Sequence, residues 1–222
     1  NNEEALFRSE ENYLYFLKKY RFYLDEYLET VGYCLMPTHF HFLVRVKPFK
    51  ADELHLPDGV HLNQNSVSDD ELNYQSSVHL SHKKSVSKMD ATFEVASIYS
   101  RIISDKIGIL LSSYTKAINK RYNRHGSLFQ EHTNAKPVPS DRYLITLLTY
   151  IHQNPMRSKL VDKAEEWKFS SYQDYIDLRN GTLPSKEIIL AMIRKEELRE
   201  LTVKLLTKPE GKMDSTSKVE SI

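Results

Sequence analysis

The sequence has a single cysteine, almost no net charge and no long hydrophobic run, and each of these absences excludes a class of protein. Cys34, the one cysteine in 222 residues, cannot form an internal disulfide, and its apolar neighbours indicate a small buried side chain in a reducing, cytoplasmic compartment. No apolar stretch approaches the roughly 20 residues that span a bilayer. The chain opens on Asn-Asn-Glu-Glu, which does not resemble a signal peptide, so no membrane partner is expected.

The charge balance limits how the chain can bind nucleic acid. Because the formal net charge is only +1, any affinity for DNA must come from local clusters of cations. One cluster is formed by Lys116, Lys120 and Arg124, which repeat at i,i+4 on one stripe of a predicted helix, with Arg121 beside them. The stripe indicates either a phosphate contact or an ordinary helix end, where cations favour the C-terminal dipole.

The spacing of apolar residues predicts the order of helices and strands. Helical periodicity covers residues 9–28, 91–124, 140–153 and 184–206. Residues 91–124 form either one long helix or two separated near Gly108, and we expect the helix that begins at residue 140 to stop before Pro155. A strand is predicted between residues 126 and 138. Residues 47–90 show no sustained period and are predicted to be a long insertion, largely loop or mobile, and residues 208–222 a disordered tail.

The rest of the chain is organised around residues 31–46. Two runs rich in β-branched and aromatic residues flank Pro37, which predicts two strands joined by a tight bend. Since strand side chains alternate between faces, His39 and His41 share one face and the phenylalanines beside them share the other. Two imidazoles about 7 Å apart by strand rise make half of a metal site.

Two separate blocks carry a resemblance to a known family. Residues 33–44, Tyr-Cys-Leu-Met-Pro-Thr-His-Phe-His-Phe-Leu-Val, resemble the signature of the HUH single-tyrosine transposases, in particular the REP-associated tyrosine transposases and their insertion-sequence relatives. Thr38 stands where the family usually has Asn. Residues 148–161, Leu-Thr-Tyr-Ile-His-Gln-Asn-Pro-Met-Arg-Ser-Lys-Leu-Val, resemble the Tyr-Ile-x-x-Asn-Pro-x-Arg signature of the same family.

Two further segments extend the resemblance, each with a departure. Residues 119–130 resemble the family's Asn-Arg-x-x-x-Arg-x-Gly-x-Leu-Phe-Gln segment, but Glu131 and His132 follow where an Arg is common. Residues 167–172 resemble its Trp-Pro-hydrophobic-Ser-Ser-Tyr element, with Lys168 in place of the proline. In the family a first strand precedes the point at which this sequence begins.

The resemblance implies an α+β fold for residues 1–175, an antiparallel sheet of ferredoxin-like type with flanking helices, followed by a C-terminal helical extension over residues 176–207. It implies His39, His41 and Asn154 as ligands of a divalent metal, Mg²⁺ or Mn²⁺. Tyr150 is implied as the nucleophile. Tyr143, seven residues earlier on a similar helix face, is the competing candidate.

The implied activity is the cleavage and rejoining of single-stranded DNA next to a hairpin, through a 5′-phosphotyrosine intermediate. Relatives also imply a homodimer. Six cations are the expected DNA contacts: Lys116, Lys120, Arg121, Arg124, Arg157 and Lys159. Two alternatives stay open. One is a domesticated or inactive DNA-hairpin-binding protein of the same fold, and the other is a metal-dependent phosphodiesterase in which Tyr150 only packs against the core.

Overall fold

The computed structural model describes residues 4–48, 88–129, 134–204 and 218–221. The chain divides into two compact units, one made of residues 1–47 and 105–222 and the other of residues 48–104. Most of the second unit, together with most of the insertion predicted for residues 47–90, lies outside the described residues. The first unit contains all four described strands and the residues of the candidate site.

The described residues form an α+β fold. In chain order its elements are α1 (Glu10–Leu24), β1 (Leu28–Leu35), β2 (Phe40–Val46), α2 (Lys88–Tyr122), β3 (Asn134–Pro137), α3 (Asp141–Arg157), a 3₁₀ turn (Ala164–Glu166), α4 (Tyr172–Tyr175), α5 (Glu187–Leu190), α6 (Lys195–Val203) and β4 (Lys218–Ser221). Within the described ranges, no helix has the length and apolar character needed to cross a membrane.

The four strands form one sheet in the order β1-β2-β4-β3. Strands β1 and β2 pair antiparallel, with a register shift between Thr30 and Gly32, whereas β4 pairs parallel with both β2 and β3. The sheet is therefore mixed, and the antiparallel pairing expected from the sequence holds for the β1/β2 hairpin alone.

An aromatic cluster packs helix α1 against one face of this sheet. The Tyr20 ring stacks on Phe42 at 4.0 Å, and Phe16 lies 5.0 Å from Phe40. Tyr114 of α2 meets Phe16 edge to face at 5.0 Å and donates a hydrogen bond from its hydroxyl to the Leu6 carbonyl oxygen at 2.8 Å. Because Phe40 and Phe42 fill this face, the side chains that alternate with them on β2 point to the opposite one.

Helix α3 covers that opposite face. Ser140 caps the helix, since its side chain accepts a hydrogen bond from the Tyr143 N–H at 3.3 Å. The predicted stop before Pro155 is wrong, because α3 continues through Pro155 to Arg157. Proline costs a helix one N–H donor, and here the Asn154 side chain replaces it by donating to the Ile151 carbonyl oxygen.

Three other sequence predictions need correction. The helix predicted over residues 184–206 is two helices, α5 and α6, separated by residues 191–194. The tail predicted to be disordered contributes β4 at residues 218–221. The strand predicted for residues 126–138 is confined to β3, and residues 130–133 lie outside the described part of the chain.

Candidate functional site

The histidine pair sits at the start of β2, where the hairpin closes. The Met36 N–H donates to the His39 carbonyl oxygen at 2.8 Å and thereby fixes the bend. The rings of His39 and His41 are 5.1 Å apart between centroids and lie edge to face at 83°. A cation about 2 Å from one nitrogen of each ring can be shared by rings whose centroids are up to roughly 6 Å apart. The two side chains are therefore close enough to hold one ion.

The environment of His39 favours its neutral imidazole, which is the form that binds a metal. Burial lowers the pKa of His39, because the imidazolium form loses its hydration there. Thr38 Oγ1 lies 3.2 Å from Nδ1 of His39. When Nδ1–H donates to that hydroxyl, the lone pair of Nε2 is available to a cation. Thr38 thus supplies a polar partner that orients the ring.

The histidines share their sheet face with helix α3. His41 pairs with Cys34 across the hairpin, and side chains directly opposite each other point to the same face. Cys34 belongs to a buried cluster with Leu43 of β2 and Ile151 of α3. Leu43 follows His41 by two residues and so lies on the same side of the strand. Helix α3 therefore packs over the face that carries the imidazoles.

Two contacts place α3 against β1. A Cβ on Gly32 would lie 2.2 Å from Leu148 Cδ1, so Leu148 sits directly over this glycine. Four residues later, His152 Nε2 lies 2.8 Å from Ser171 Oγ, which accepts a hydrogen bond from the N–H of Tyr33 at 2.9 Å. Both contacts therefore hold α3 close to Gly32 and Tyr33 of β1.

Asn154 follows His152 by two residues near the C-terminal end of α3. Its side chain is buried, as is that of His41. That Asn154 joins the histidine pair as a third ligand stays a prediction.

The amide of Asn154 has two separate tasks. Its Nδ2 donates to the carbonyl oxygens of Tyr150 at 3.1 Å and Ile151 at 3.3 Å. Pro155 has no N–H for the Ile151 carbonyl, so Nδ2 supplies the missing donor and allows the helix to continue. Oδ1 takes no part in these two bonds. Oδ1 is the atom of this side chain that suits a hard divalent cation.

Tyr150 lies on the same side of α3 as Asn154, one turn earlier. Its ring is half-buried against the cluster beneath the helix and carries the Arg157 guanidinium 5.3 Å from its centroid. Tyr143 also packs against that cluster. Being seven residues earlier, it lies about 10 Å from Tyr150 along the helix axis. Of the two tyrosines, Tyr150 is the one closer to Asn154 along α3.

Two of the predicted DNA-binding cations are engaged within the protein. Arg124 leaves the stripe predicted for it, because α2 ends at Tyr122. Its side chain is 13% exposed and forms an ion pair with Glu4 at 2.9 Å. Arg121 forms an ion pair with Glu11 at the start of α1. These contacts tie the end of α2 to the N-terminal segment.

The other predicted cations divide into two groups. Lys116 and Lys120 are exposed on α2, one turn apart. Lys159 is exposed just after α3, in a left-handed conformation with φ 55°. Arg157, by contrast, donates from Nε and Nη2 to Gln153 Oε1 at 3.1 and 2.8 Å. The sequence analysis did not identify Gln153. The one signal that could have done so is its position between Tyr150 and Asn154, which both belong to the motif.

Comparisons with known proteins add no relative: no family model, curated protein or solved structure matches the chain. Among the described residues, no group of three or more His, Cys, Asp or Glu side chains is arranged to hold a metal. The ligand set that the sequence implies consists of two imidazoles and one amide. Such a set leaves coordination positions open for a substrate and water.

Proposed function

We propose that the protein is a metal-dependent strand transferase of the HUH single-tyrosine type, which cleaves and rejoins single-stranded DNA next to a hairpin. One observation carries this proposal. His39 and His41, with ring centroids 5.1 Å apart, lie on the sheet face that helix α3 covers, and α3 carries Asn154. Tyr150, one turn before Asn154, is then the nearest phenol on the same side of the helix.

The proposed reaction assigns Tyr150 as the nucleophile. Its Oη attacks the scissile phosphorus, the bond from phosphorus to the 3′ oxygen breaks, and the phenol proton passes to that oxygen. The products are a 5′-phosphotyrosine and a free 3′ hydroxyl. Because the phosphodiester is exchanged for another phosphate ester, a 3′ hydroxyl can attack the link, rejoin the strand and return the proton to Tyr150 without an external energy source.

A divalent ion suits this chemistry. His39, His41 and Oδ1 of Asn154 are the residues that would hold Mg²⁺ or Mn²⁺. When bound, the ion withdraws charge from a phosphate oxygen and orients the phosphorus for in-line attack. The lowered pKa of His39 supports this assignment, since protons then compete less with the metal near neutral pH.

The proposal also covers the finer architecture and the setting. We place the domain in the ferredoxin-like type, on the support of the antiparallel β1/β2 hairpin and the helices that pack on its two faces. Helices α5 and α6 would be its C-terminal extension. The partners would be single-stranded or hairpin DNA and a second copy of the chain, in a reducing cytoplasm.

A covalent-adduct assay tests the function. The protein is incubated with an end-labelled single-stranded hairpin oligonucleotide and Mn²⁺, and the products are separated on a denaturing gel. We expect a protein–DNA adduct that Tyr150→Phe abolishes and that the matched control Tyr143→Phe retains. Binding without an adduct would instead identify a non-catalytic hairpin-binding protein. Cleavage that survives Tyr150→Phe would identify a phosphodiesterase.

A further inference from the structure

Arg157 is held in one orientation over the ring of Tyr150. Its Nε and Nη2 both donate to the same oxygen, Gln153 Oε1, at 3.1 and 2.8 Å, which fixes the plane of the guanidinium. Its central carbon lies 5.3 Å from the centroid of the Tyr150 ring, within the range of a cation–π contact. A guanidinium fixed in this way restricts the ring to fewer positions.

Gln153 is itself held by helix α6. Its side chain is fully buried, and Nε2 donates to the carbonyl oxygens of Leu201 and Thr202, both at 3.1 Å, and to that of Lys204. These carbonyls belong to the last turn and the cap of α6, where helix carbonyls lack partners in the next turn. A continuous chain of contacts therefore runs from the end of α6 through Gln153 and Arg157 to Tyr150.

We propose that Arg157 is a positioning residue for Tyr150 and that the C-terminal end of α6 sets its orientation through Gln153. The inference deepens the proposed function and rests on it. It also replaces the phosphate contact that the sequence indicates for Arg157. A nucleophile must meet the phosphorus along a narrow approach, so a side chain held in one rotamer reacts faster than a mobile one. In this arrangement the end of α6 holds Gln153 in place, and Gln153 in turn holds Arg157.

Separate measurements of binding and chemistry distinguish positioning from phosphate contact. We compare Arg157→Met and Gln153→Met with the wild type, measuring the dissociation constant of the hairpin oligonucleotide and the single-turnover rate of adduct formation. We expect dissociation constants within about twofold of each other and adduct rates lower by about tenfold in both variants. Arg157→Lys keeps the charge but not the planar guanidinium, so its adduct rate should lie between those of the wild type and Arg157→Met.

A phosphate contact would give a different pattern. Arg157→Met would then weaken binding and reduce the slope of log K against log salt by about one, while Gln153→Met would bind normally. That pattern would overturn the inference. Arg142→Met is the matched control, because Arg142 is an exposed arginine on the same helix. It should leave both the binding and the rate unchanged.

A readout without DNA separates this inference from the proposed function. In protein labelled on its tyrosine rings, the NMR signal of Tyr150 is assigned by its loss in Tyr150→Phe. We expect that signal to move in Arg157→Met and to move in the same direction in Gln153→Met, although Gln153 acts only through Arg157. An unmoved signal in Gln153→Met would overturn the inference. Absence of an adduct in the wild type would overturn the function alone.

Discussion

His152 is a buried histidine, and its burial has a measurable consequence. It is fully buried on α3, with the rings of Tyr172 and Tyr175 at 5.3 and 5.5 Å. Its Nε2 bonds to Ser171 Oγ, and Nδ1 has no hydrogen-bond partner among the described residues. Burial lowers the pKa of His152 to about 3, since the imidazolium cannot be hydrated there. The folded protein therefore contains His152 as the neutral imidazole.

We expect protonation of His152 to destabilise the protein in acid. A histidine in the unfolded chain has a pKa of about 6.5, so the unfolded state binds more protons between pH 6.5 and pH 3, and the free energy of unfolding falls as the pH drops through this window. Urea titrations at pH 7.5 and 5.0 measure the effect. Between these two pH values, the free energy of unfolding should fall by about 2 kcal/mol more in the wild type than in His152→Gln. Equal losses would remove His152 from the acid response.

Asn154 shows what the sequence conveys about a residue and what it leaves out. The spacing from Tyr150 identifies Asn154 as part of a motif, but not that its Nδ2 replaces the donor missing from Pro155. That replacement is visible only when the helix is known to continue past the proline. For the same reason, the predicted stop before Pro155 was wrong. The expectation that proline ends a helix considers the backbone alone. It leaves out a side chain that can supply the lost hydrogen bond.

At the scale of elements, the approach of α3 to the sheet depends on the absence of a side chain at Gly32. A Cβ there would lie 2.2 Å from Leu148 Cδ1, in a core where Leu148 is fully buried. We expect Gly32→Ala to lower the free energy of unfolding by about 1–3 kcal/mol, because one of the two groups must move in a packed interior. It should also reduce adduct formation, since α3 carries Tyr150. Equilibrium unfolding in urea measures the first effect.

Gly108 provides the matched control. It lies in the interior of α2, and a Cβ added there meets no atom within 4 Å among the described residues. Gly108→Ala should therefore raise the free energy of unfolding by up to about 1 kcal/mol, through the higher helix propensity of alanine. If Gly32→Ala behaved like Gly108→Ala, the close contact between α3 and β1 would not limit stability.

Local periodicity predicted some elements of this fold and failed for others. Helix α1 and the β1/β2 hairpin follow from patterns that each segment carries by itself. Strand β4 comes from a polar tail and is defined by its pairing with β2 and β3, which are distant in sequence. The helix predicted over residues 184–206 divides at residues 191–194, although the apolar residues on both sides keep helical spacing. The pairing of β4 and the break between α5 and α6 both depend on tertiary contacts.

For the molecule as a whole, the question is how a chain with a net charge of +1 would attract DNA. The sequence suggested a stripe of cations along α2, and the structure divides that stripe into two parts. Lys116 and Lys120 are exposed, whereas Arg124 is paired with Glu4 and 13% exposed. Only the exposed lysines are placed to displace counterions from a phosphate backbone. Arg124 instead fastens α2 to the N-terminal segment.

This division predicts opposite results for the two kinds of cation. Lys116→Gln with Lys120→Gln should weaken binding of a hairpin oligonucleotide and reduce the slope of log K against log salt by up to about 1.8, with unfolding unaffected. Arg124→Gln should leave the slope unchanged and lower the free energy of unfolding by about 1 kcal/mol, because the partly buried oxygens of Glu4 and Asn119 lose their donor. Binding titrations at several salt concentrations and urea unfolding measure the two effects. A lower slope in Arg124→Gln would show that the ion pair with Glu4 opens for DNA, and the stripe would then act as the sequence first indicated.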